Sequence, residues 1–322
     1  MSLFKGRGDI YAKRWEKDGK SGYGPAYKLD WQEFNAFKAK GGKFADFPNK
    51  TPLPLTWEVI RGHVEGVHTI GIYPLLQDNT SYFIAADFDG DNWQKECQSF
   101  INVCKERGIP VYLERSRSGK GGHVWIFFEN PYPAYKSRKI ILELIRQALN
   151  LSQFDKEVSF DRLFPNQDYH SNLGIGNLIA LPLQAGSLRE GNSTFLNTET
   201  LAIIPDQWAH LCLIEKLPTE KLDKLFDEVS AGISNPINNT KETEELSIVI
   251  RNKIYLKKNK LTPELVNFLR ENLNFANTEY IIKKKIGLST YQTEKYFKLI
   301  EETDEHVLIP RGFQDKLITF CQ

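Results

Sequence analysis

Asp87 and Asp89 stand two apart at the end of an apolar run, Ile84-Ala85-Ala86-Asp87-Phe88-Asp89. In a strand, alternate side chains share a face, so both carboxylates point one way and Phe88 points into the opposite layer. Like charges held this close repel unless a cation sits between them. A hard divalent ion with oxygen ligands, Mg²⁺ or Mn²⁺, fits that position. Taken alone, the pair also fits a strand that ends in a solvated turn at Gly90-Asp91.

Two further pieces follow in order. Arg115-Ser116-Arg117-Ser118-Gly119-Lys120-Gly121-Gly122-His123 leads into Val124-Trp125-Ile126-Phe127-Phe128, and Val158-Ser159-Phe160-Asp161-Arg162 comes next. Glycines let the backbone come close to a ligand, so several N–H groups of the first piece can face one anion. Ser118, Lys120 and His123 add donors and charge. The loop suits a triphosphate, although a flexible glycine hairpin with exposed cations has the same composition. It is no Walker A loop, because it lacks GxxxxGK[ST] and opens a strand rather than a helix. Asp161, at the end of a short strand, completes a possible set of three carboxylates. Such a set beside a phosphate cradle is what two-metal nucleotidyl transfer requires.

The elements that must position these residues can be read from periodicity. Thr69–Leu75 and Ser81–Asp89 are expected strands, with a tight hairpin at Asp78-Asn79. Trp57–His63 is an expected helix, and Trp93–Arg107 another, stopping at Gly108. Val111–Arg115 and His123–Glu129 are expected strands, Pro133–Leu149 an amphipathic helix, and Val158–Asp161 and Leu178–Leu183 short strands. The pattern predicts an α+β fold with helices on one sheet face. Four divisions result: residues 1–55, a basic and aromatic segment packed on the core; 56–235, the core; 236–245, a polar linker; and 246–322, a Lys-rich segment of helical period. The N-terminal segment interleaves Lys13, Arg14, Trp15, Lys17, Lys20 and Tyr23. That composition suits single-stranded nucleic acid and equally a small cap with a solvated basic face. Lys283-Lys284-Lys285-Ile286-Gly287 and Tyr291–Ile300 read as a helix-turn-helix-like pair or as a charged solvated surface.

Lys plus Arg (42) nearly balance Asp plus Glu (41), for a formal charge of +1. Overall charge therefore announces no polyanion partner, although a groove needs only local positive charge. Cys97, Cys104, Cys212 and Cys321 form no CxxC pair and no zinc-ligand spacing, so no zinc is expected. Cys97 and Cys104, seven apart, share a helix face and read as core thiols. Nothing in the sequence resembles a signal peptide or a membrane span, since the first residues are polar and basic and no long apolar run occurs. A cytoplasmic protein with reduced thiols and no membrane partner is expected.

The order DxD, SGKGGH and strand-borne Asp resembles the three motifs of the archaeo-eukaryotic primase superfamily. The closer resemblance is to the primase domain of bacterial conflict systems and to CRISPR-associated primase-polymerases. It rests on Gly71-Ile72-Tyr73-Pro74-Leu75-Leu76, Ala85–Gly90, Leu113–Gly119 with Gly121–Phe128, Asp161–Gln167 and Gly176–Gln184. Leu3–Arg7, Arg14-Trp15 and the tail from Phe275-Ala276-Asn277 to Gly312 resemble that group too. The resemblance implies a catalytic core built from an RNA-recognition-like antiparallel sheet beside an α/β unit, with a small helical C-terminal accessory domain that holds an initiating nucleotide or template. It implies Asp87, Asp89 and Asp161 as ligands of two Mg²⁺ or Mn²⁺ ions. Ser118, Gly119, Lys120, Gly121 and His123 would hold the triphosphate, Arg115 and Arg117 would meet phosphate or template, and Asn177 and Gln184 would line the nucleotide site. The implied partners are single-stranded DNA, ribo- or deoxyribonucleoside triphosphates, and CRISPR adaptation, helicase or nuclease proteins; in larger relatives helicase or nuclease regions follow. Two departures stand out. The region that often carries a cysteine cluster in related proteins reads Phe44-Ala45-Asp46-Phe47, and the strand from Asn177 lacks an arginine that some relatives place there.

The expected function is a metal-dependent primase-polymerase that starts and extends strands on single-stranded DNA. Two alternatives remain. One is a non-catalytic single-stranded nucleic-acid-binding module, which gains nothing from clustered carboxylates. The other is a metal-dependent nuclease, which has no need of a triphosphate cradle.

Overall fold

The computed structural model describes residues 3–90, 92–149, 160–170, 175–233, 248–285, 293 and 296–321. Strands β1 (Ala12–Lys17) and β2 (Lys20–Pro25) open the chain, followed by β3 (Tyr27–Leu29), α1 (Trp31–Ala39), β4 (Lys50–Pro52), α2 (Trp57–Val64) and β5 (Ile70–Ile72). The central stretch runs β6 (Thr80–Asp89), α3 (Trp93–Glu106), β7 (Tyr112–Arg115), β8 (Gly121–Pro133), α4 (Ala134–Ala148) and β9 (Phe160–Phe164). After it come β10 (Ile179–Ala180), α5 (Ala185–Arg189), β11 (Thr194–Leu196), α6 (Gln207–Cys212) and α7 (Thr219–Ile233).

Two antiparallel sheets organise this part. One has the order β11-β7-β8-β6-β9 and the other β10-β5-β1-β2. Within the first, the succession β6-α3-β7-β8-α4-β9 is a βαββαβ unit whose strands lie fourth, first, third, second across the sheet. Period-two alternation divides the residues of this sheet between two cores. Ile84, Ala86 and Phe88 of β6 and Val124, Ile126 and Phe128 of β8 pack with α3, α4 and α7. Phe83, Ala85, Trp125, Phe127 and Phe195 face the other way and share a core with Ile70, Ile72 and Ile179 of the second sheet. Helices therefore cover one face of the five-stranded sheet, and the second sheet covers the other.

Helix α3 shows why the local pattern was readable. Trp93, Cys97, Phe100, Ile101 and Cys104 recur at helical spacing and are all buried, so both cysteines are core thiols. The helix ends at Gly108, whose φ of 62° permits a Schellman cap. Gly108 N–H donates to the Lys105 carbonyl and Ile109 N–H to the Cys104 carbonyl, both at 2.9 Å.

The Asp78-Asn79 turn forms, but the expected hairpin does not. Leu76 N–H donates to the Thr80 carbonyl (2.8 Å) and Asn79 takes φ 65°. The flanking strands then part: β5 pairs with β1 and β10, and β6 pairs with β8 and β9. Ile70, Gly71 and Ile72 are all buried, the mark of a strand sandwiched on both faces rather than one side of an exposed hairpin.

The C-terminal segment is mixed rather than helical. The chain there adds β12 (Ile248–Ile250), β13 (Lys253–Lys257), α8 (Pro263–Leu273), β14 (Asn274–Ala276), α9 (Thr278–Lys285), β15 (Tyr296–Lys298), β16 (Glu301–Glu302), β17 (His306–Pro310) and α10 (Gln314–Cys321). Strands β12-β13-β17-β16 form an antiparallel sheet. Ile254 and Leu256 alternate with Lys253, Tyr255 and Lys257, which is strand period, and they pack with Val307, Ile309, Leu265 and Leu269. The expected second helix of the Tyr291–Ile300 region is in part strand β15; residues 286–290 and the linker 236–245 lie outside the described residues. Among the described residues, no helix is long and apolar enough to cross a membrane.

Candidate active site

The face of the five-stranded sheet that carries Phe83, Ala85, Trp125 and Phe127 turns polar at one end. Asp87 continues the β6 row, His123 the β8 row and Glu114 the β7 row. Register places Asp87 opposite His123 and Asp89 opposite Gly121, so the glycine loop closes directly against the DxD pair. Phe88 goes to the helix side, 5.9 Å from the Phe100 ring. Asp87 is 9% exposed, whereas Asp89 is open to solvent.

Three acidic or basic groups interlock here. Glu114, 2% exposed, accepts hydrogen bonds at one oxygen from His123 Nδ1 (2.8 Å) and Trp125 Nε1 (2.9 Å). The opposite ring nitrogen, Nε2, lies 3.5 Å from Asp87 Oδ1. Burial works to lower the His123 pKa, but Glu114, then Asp87 and Asp89, outweigh it and push it up to about 9. His123 is thus an imidazolium at neutral pH, fixed in orientation by Glu114 and aimed along the carboxylate row.

The loop between β7 and β8 is ordered by its own backbone. Ser116 N–H donates to the Gly121 carbonyl (2.9 Å) and Gly119 N–H to the Ser116 carbonyl (3.0 Å). Ser118 Oγ sits 3.2 Å from Ser116 Oγ and accepts from Lys120 N–H at 3.3 Å. Gly119 takes φ 73°. A Cβ on Gly121 would strike Asp89 Oδ1 and lie 2.6 Å from the Phe88 carbonyl oxygen, so only glycine lets the loop approach the carboxylates this closely. Arg115 Nη1 donates to the Gly191 carbonyl (3.1 Å), tying the loop base to the turn before β11. The Lys120 side chain is exposed.

Asp161 lies on β9, the strand next to β6. Asp87 pairs with Arg162 and Phe88 with Phe160, so a bulge leaves the Asp161 backbone opposite the Asp87–Phe88 step. Its side chain lies outside the described part of the structure. Among the described residues, no group of three His, Cys, Asp or Glu side chains is gathered as a metal site.

Asn177 and Gln184 flank β10 in the second sheet rather than sitting on it. Asn177 is exposed. Gln184 is buried and caps α5, accepting from Ser187 N–H at 2.9 Å. Among the described residues, no hydrogen bond joins either to the Ser118–His123 loop. Sequence reasoning passed over Glu114 as a working residue. The signal was available: a tight turn over residues 116–121 pairs Glu114 with His123, and Leu113 inward puts Glu114 on the His123 face.

The site is thus a βαββαβ sheet that ends in paired carboxylates beside a cationic glycine loop. Residues 1–225 match the family described as the TOTE conflict system, archaeo-eukaryotic primase domain, and the chain belongs to that family. No curated protein matches the chain. Family membership carries with it primase-like nucleotidyltransferase character in general terms.

Proposed function

We propose that the protein is a metal-dependent primase-polymerase that reads single-stranded DNA and joins nucleoside triphosphates, starting strands as well as extending them. One observation carries this reading: Asp87 and Asp89 stand in register with His123 and Gly121 of the glycine loop. The βαββαβ order with strands four-one-three-two supports an RNA-recognition-like core. Asp87 and Asp89, with Asp161 on the adjoining strand, would hold two Mg²⁺ or Mn²⁺ ions. Ions so placed supply activation of the attacking hydroxyl and stabilisation of the departing pyrophosphate.

The chain's own groups do the rest. His123 presents an imidazolium whose proton is held by Glu114 on one side, leaving Nε2–H to donate to a phosphate oxygen. The Lys120 ammonium, exposed on the loop, meets the same anion. Arg115, anchored at Gly191, adds charge at the loop base. Fixed donors of this kind stabilise developing charge without reorganising during the reaction, and they hold the α-phosphate near the attacking hydroxyl.

The test is template-dependent synthesis from labelled triphosphates alone, with ribo- and deoxyribonucleotide pools supplied separately. Asp87→Ala and Asp89→Ala should abolish synthesis and primer extension while far-UV dichroism stays unchanged. Synthesis that survives both changes would refute the assignment. A nuclease would instead degrade the template without triphosphate, and a passive binding module would retain DNA without incorporating label.

A further inference from the structure

The N-terminal ribbon outruns the sheet it starts from. β1 pairs with β5 through Ala12 and Lys13, and Arg14 N–H reaches the Thr69 carbonyl at 2.8 Å, yet β1 pairs with β2 from Ala12 to Lys17. Residues 15–22 therefore form a two-stranded ribbon of their own. The ribbon is closed by Asp18-Gly19, whose φ angles of 52° and 70° belong to the two-residue turn that matches strand twist.

One face of this ribbon is unusual. Trp15 stands opposite Gly22 and Lys13 opposite Gly24, so the indole lies on bare backbone. A Cβ on Gly22 would come within 2.9 Å of the ring, and one on Gly24 would touch it at 4.0 Å. The ring is thus supported from below and still 48% exposed above. Alternation puts Lys13 and Lys17 on the same face, and Lys20 pairs with Lys17. All three lysines are exposed, and among the described residues none enters an ion pair. The ribbon's Glu16 is engaged by Arg14 at 2.9 Å, on the opposite face.

A flat, backed indole in a row of free cations suits a flexible polyanion that presents aromatic faces at intervals. Single-stranded nucleic acid has that chemistry, because its bases stack on the ring while its phosphates meet the lysines. A duplex hides its base faces, and an apolar protein partner has no use for three ammonium groups. We propose that the β1–β2 ribbon is a single-strand docking surface, with Trp15 as the stacking platform and Lys13, Lys17 and Lys20 as phosphate contacts. The proposal rests on the template-reading activity inferred above and names where the template strand lies against the chain.

The experiment measures binding of a labelled oligodeoxythymidine by fluorescence anisotropy over a range of salt, using the full chain. Trp15→Leu keeps apolar cover over Gly22 but has no aromatic face, and should weaken binding about tenfold. Trp15→Phe, which restores a ring, should stay within about threefold of wild type. Replacing the three lysines by Gln should flatten the log–log salt dependence by about 2. Unchanged affinity in Trp15→Leu together with an unchanged salt slope overturns the proposal. So does an equal loss for blunt duplex, or a change in self-association with DNA binding intact. The readout is binding alone. Wild-type protein that makes no strands would sink the catalytic reading and leave this one standing, whereas an active enzyme with unaltered variant binding would sink only this one.

Discussion

Glu114→Gln is the most discriminating change at the site. The substitution keeps shape and leaves one carbonyl oxygen to accept from both His123 and Trp125, but it removes the charge. In the native protein, burial alone would drive the His123 pKa down; Glu114 is the largest opposing influence, and the outcome is a rise from the ordinary 6.5 to about 9. That rise corresponds to about 3 kcal/mol favouring the imidazolium. In the variant, burial is opposed only by Asp87 and Asp89, so the pKa should fall well below that of the wild type. At pH 8 wild-type His123 is about nine-tenths protonated, and the variant ring is largely neutral. A charge-assisted hydrogen bond to phosphate is worth roughly 1.5–3 kcal/mol. Triphosphate affinity at pH 8 should therefore drop about 10- to 100-fold, with a much smaller loss near pH 6.

Two measurements check this. Nuclear magnetic resonance follows the His123 ring proton through pH in a chelator, so that no bound cation opposes the imidazolium. Calorimetry then gives triphosphate affinity at pH 6 and pH 8. The sign for stability also follows. A base whose folded pKa exceeds its unfolded value stabilises fully below 6.5, and that contribution disappears as pH rises through about 9. Wild type should lose stability across this window and Glu114→Gln should lose less. A His123 that titrates near 6.5 in wild type, or identical binding profiles for the two proteins, would refute the reasoning.

Other consequences are open to measurement. His63 is buried, donates from Nε2 to the Pro182 carbonyl (3.0 Å) and accepts at Nδ1 from Ile70 N–H (3.2 Å); burial, mainly, lowers its pKa to about 4. Its neutral form stabilises fully above 6.5, and up to about 3 kcal/mol should be lost as pH falls from there towards 4, a slope that urea titrations of His63→Gln should lack. Gly121→Ala, whose methyl meets Asp89 and the Phe88 carbonyl, should cost about 1–3 kcal/mol in denaturation and cut strand synthesis more than tenfold. A chain ending before residue 246 should extend primers but start strands poorly, since Ile254, Leu265 and Ile309 belong to a core built wholly within the C-terminal segment; equal losses in the two assays would count against that division.

What was legible depended on how local the cause was. The Asp87/Asp89 alternation needed only the strand period, and the packing of Phe88 among helix residues follows from it. Helix α3 carried both its apolar stripe and its stop signal within sixteen residues, from Trp93 to Gly108. The pairing of β5 was not local. A tight turn at Asp78-Asn79 is compatible with a hairpin and with two strands diverging, and the choice is made by β1 and β10, far away in the chain. The C-terminal strands misled because Lys253 and Lys257 bracket Tyr255, so a charged surface pattern masked the two-residue alternation of Ile254 and Leu256. Gln184 shows the remaining gap: its side chain is engaged by the first turn of α5, a capping role that nothing in the segment Leu183-Gln184-Ala185 announces.

The charge balance of the site leads to a last expectation. Glu114 and Asp87 are buried on either side of the His123 imidazolium, Asp89 adds another carboxylate at the mouth, and Arg162 of β9 stands opposite Asp87. Charges removed from water at such spacing are costly unless compensated. Two routes of compensation exist: proton uptake, which His123 already supplies, and a divalent ion at Asp87 and Asp89. If the second operates, Mg²⁺ or Mn²⁺ binds the folded chain far better than the unfolded one, and the melting temperature must rise with its concentration. At a hundred times the dissociation constant the gain is about 2.7 kcal/mol. Asp87→Asn and Asp89→Asn together should erase that rise. A melting temperature that Mg²⁺ and Mn²⁺ leave unchanged in the wild type, or raise equally in the double variant, would end the case for a cation between the carboxylates.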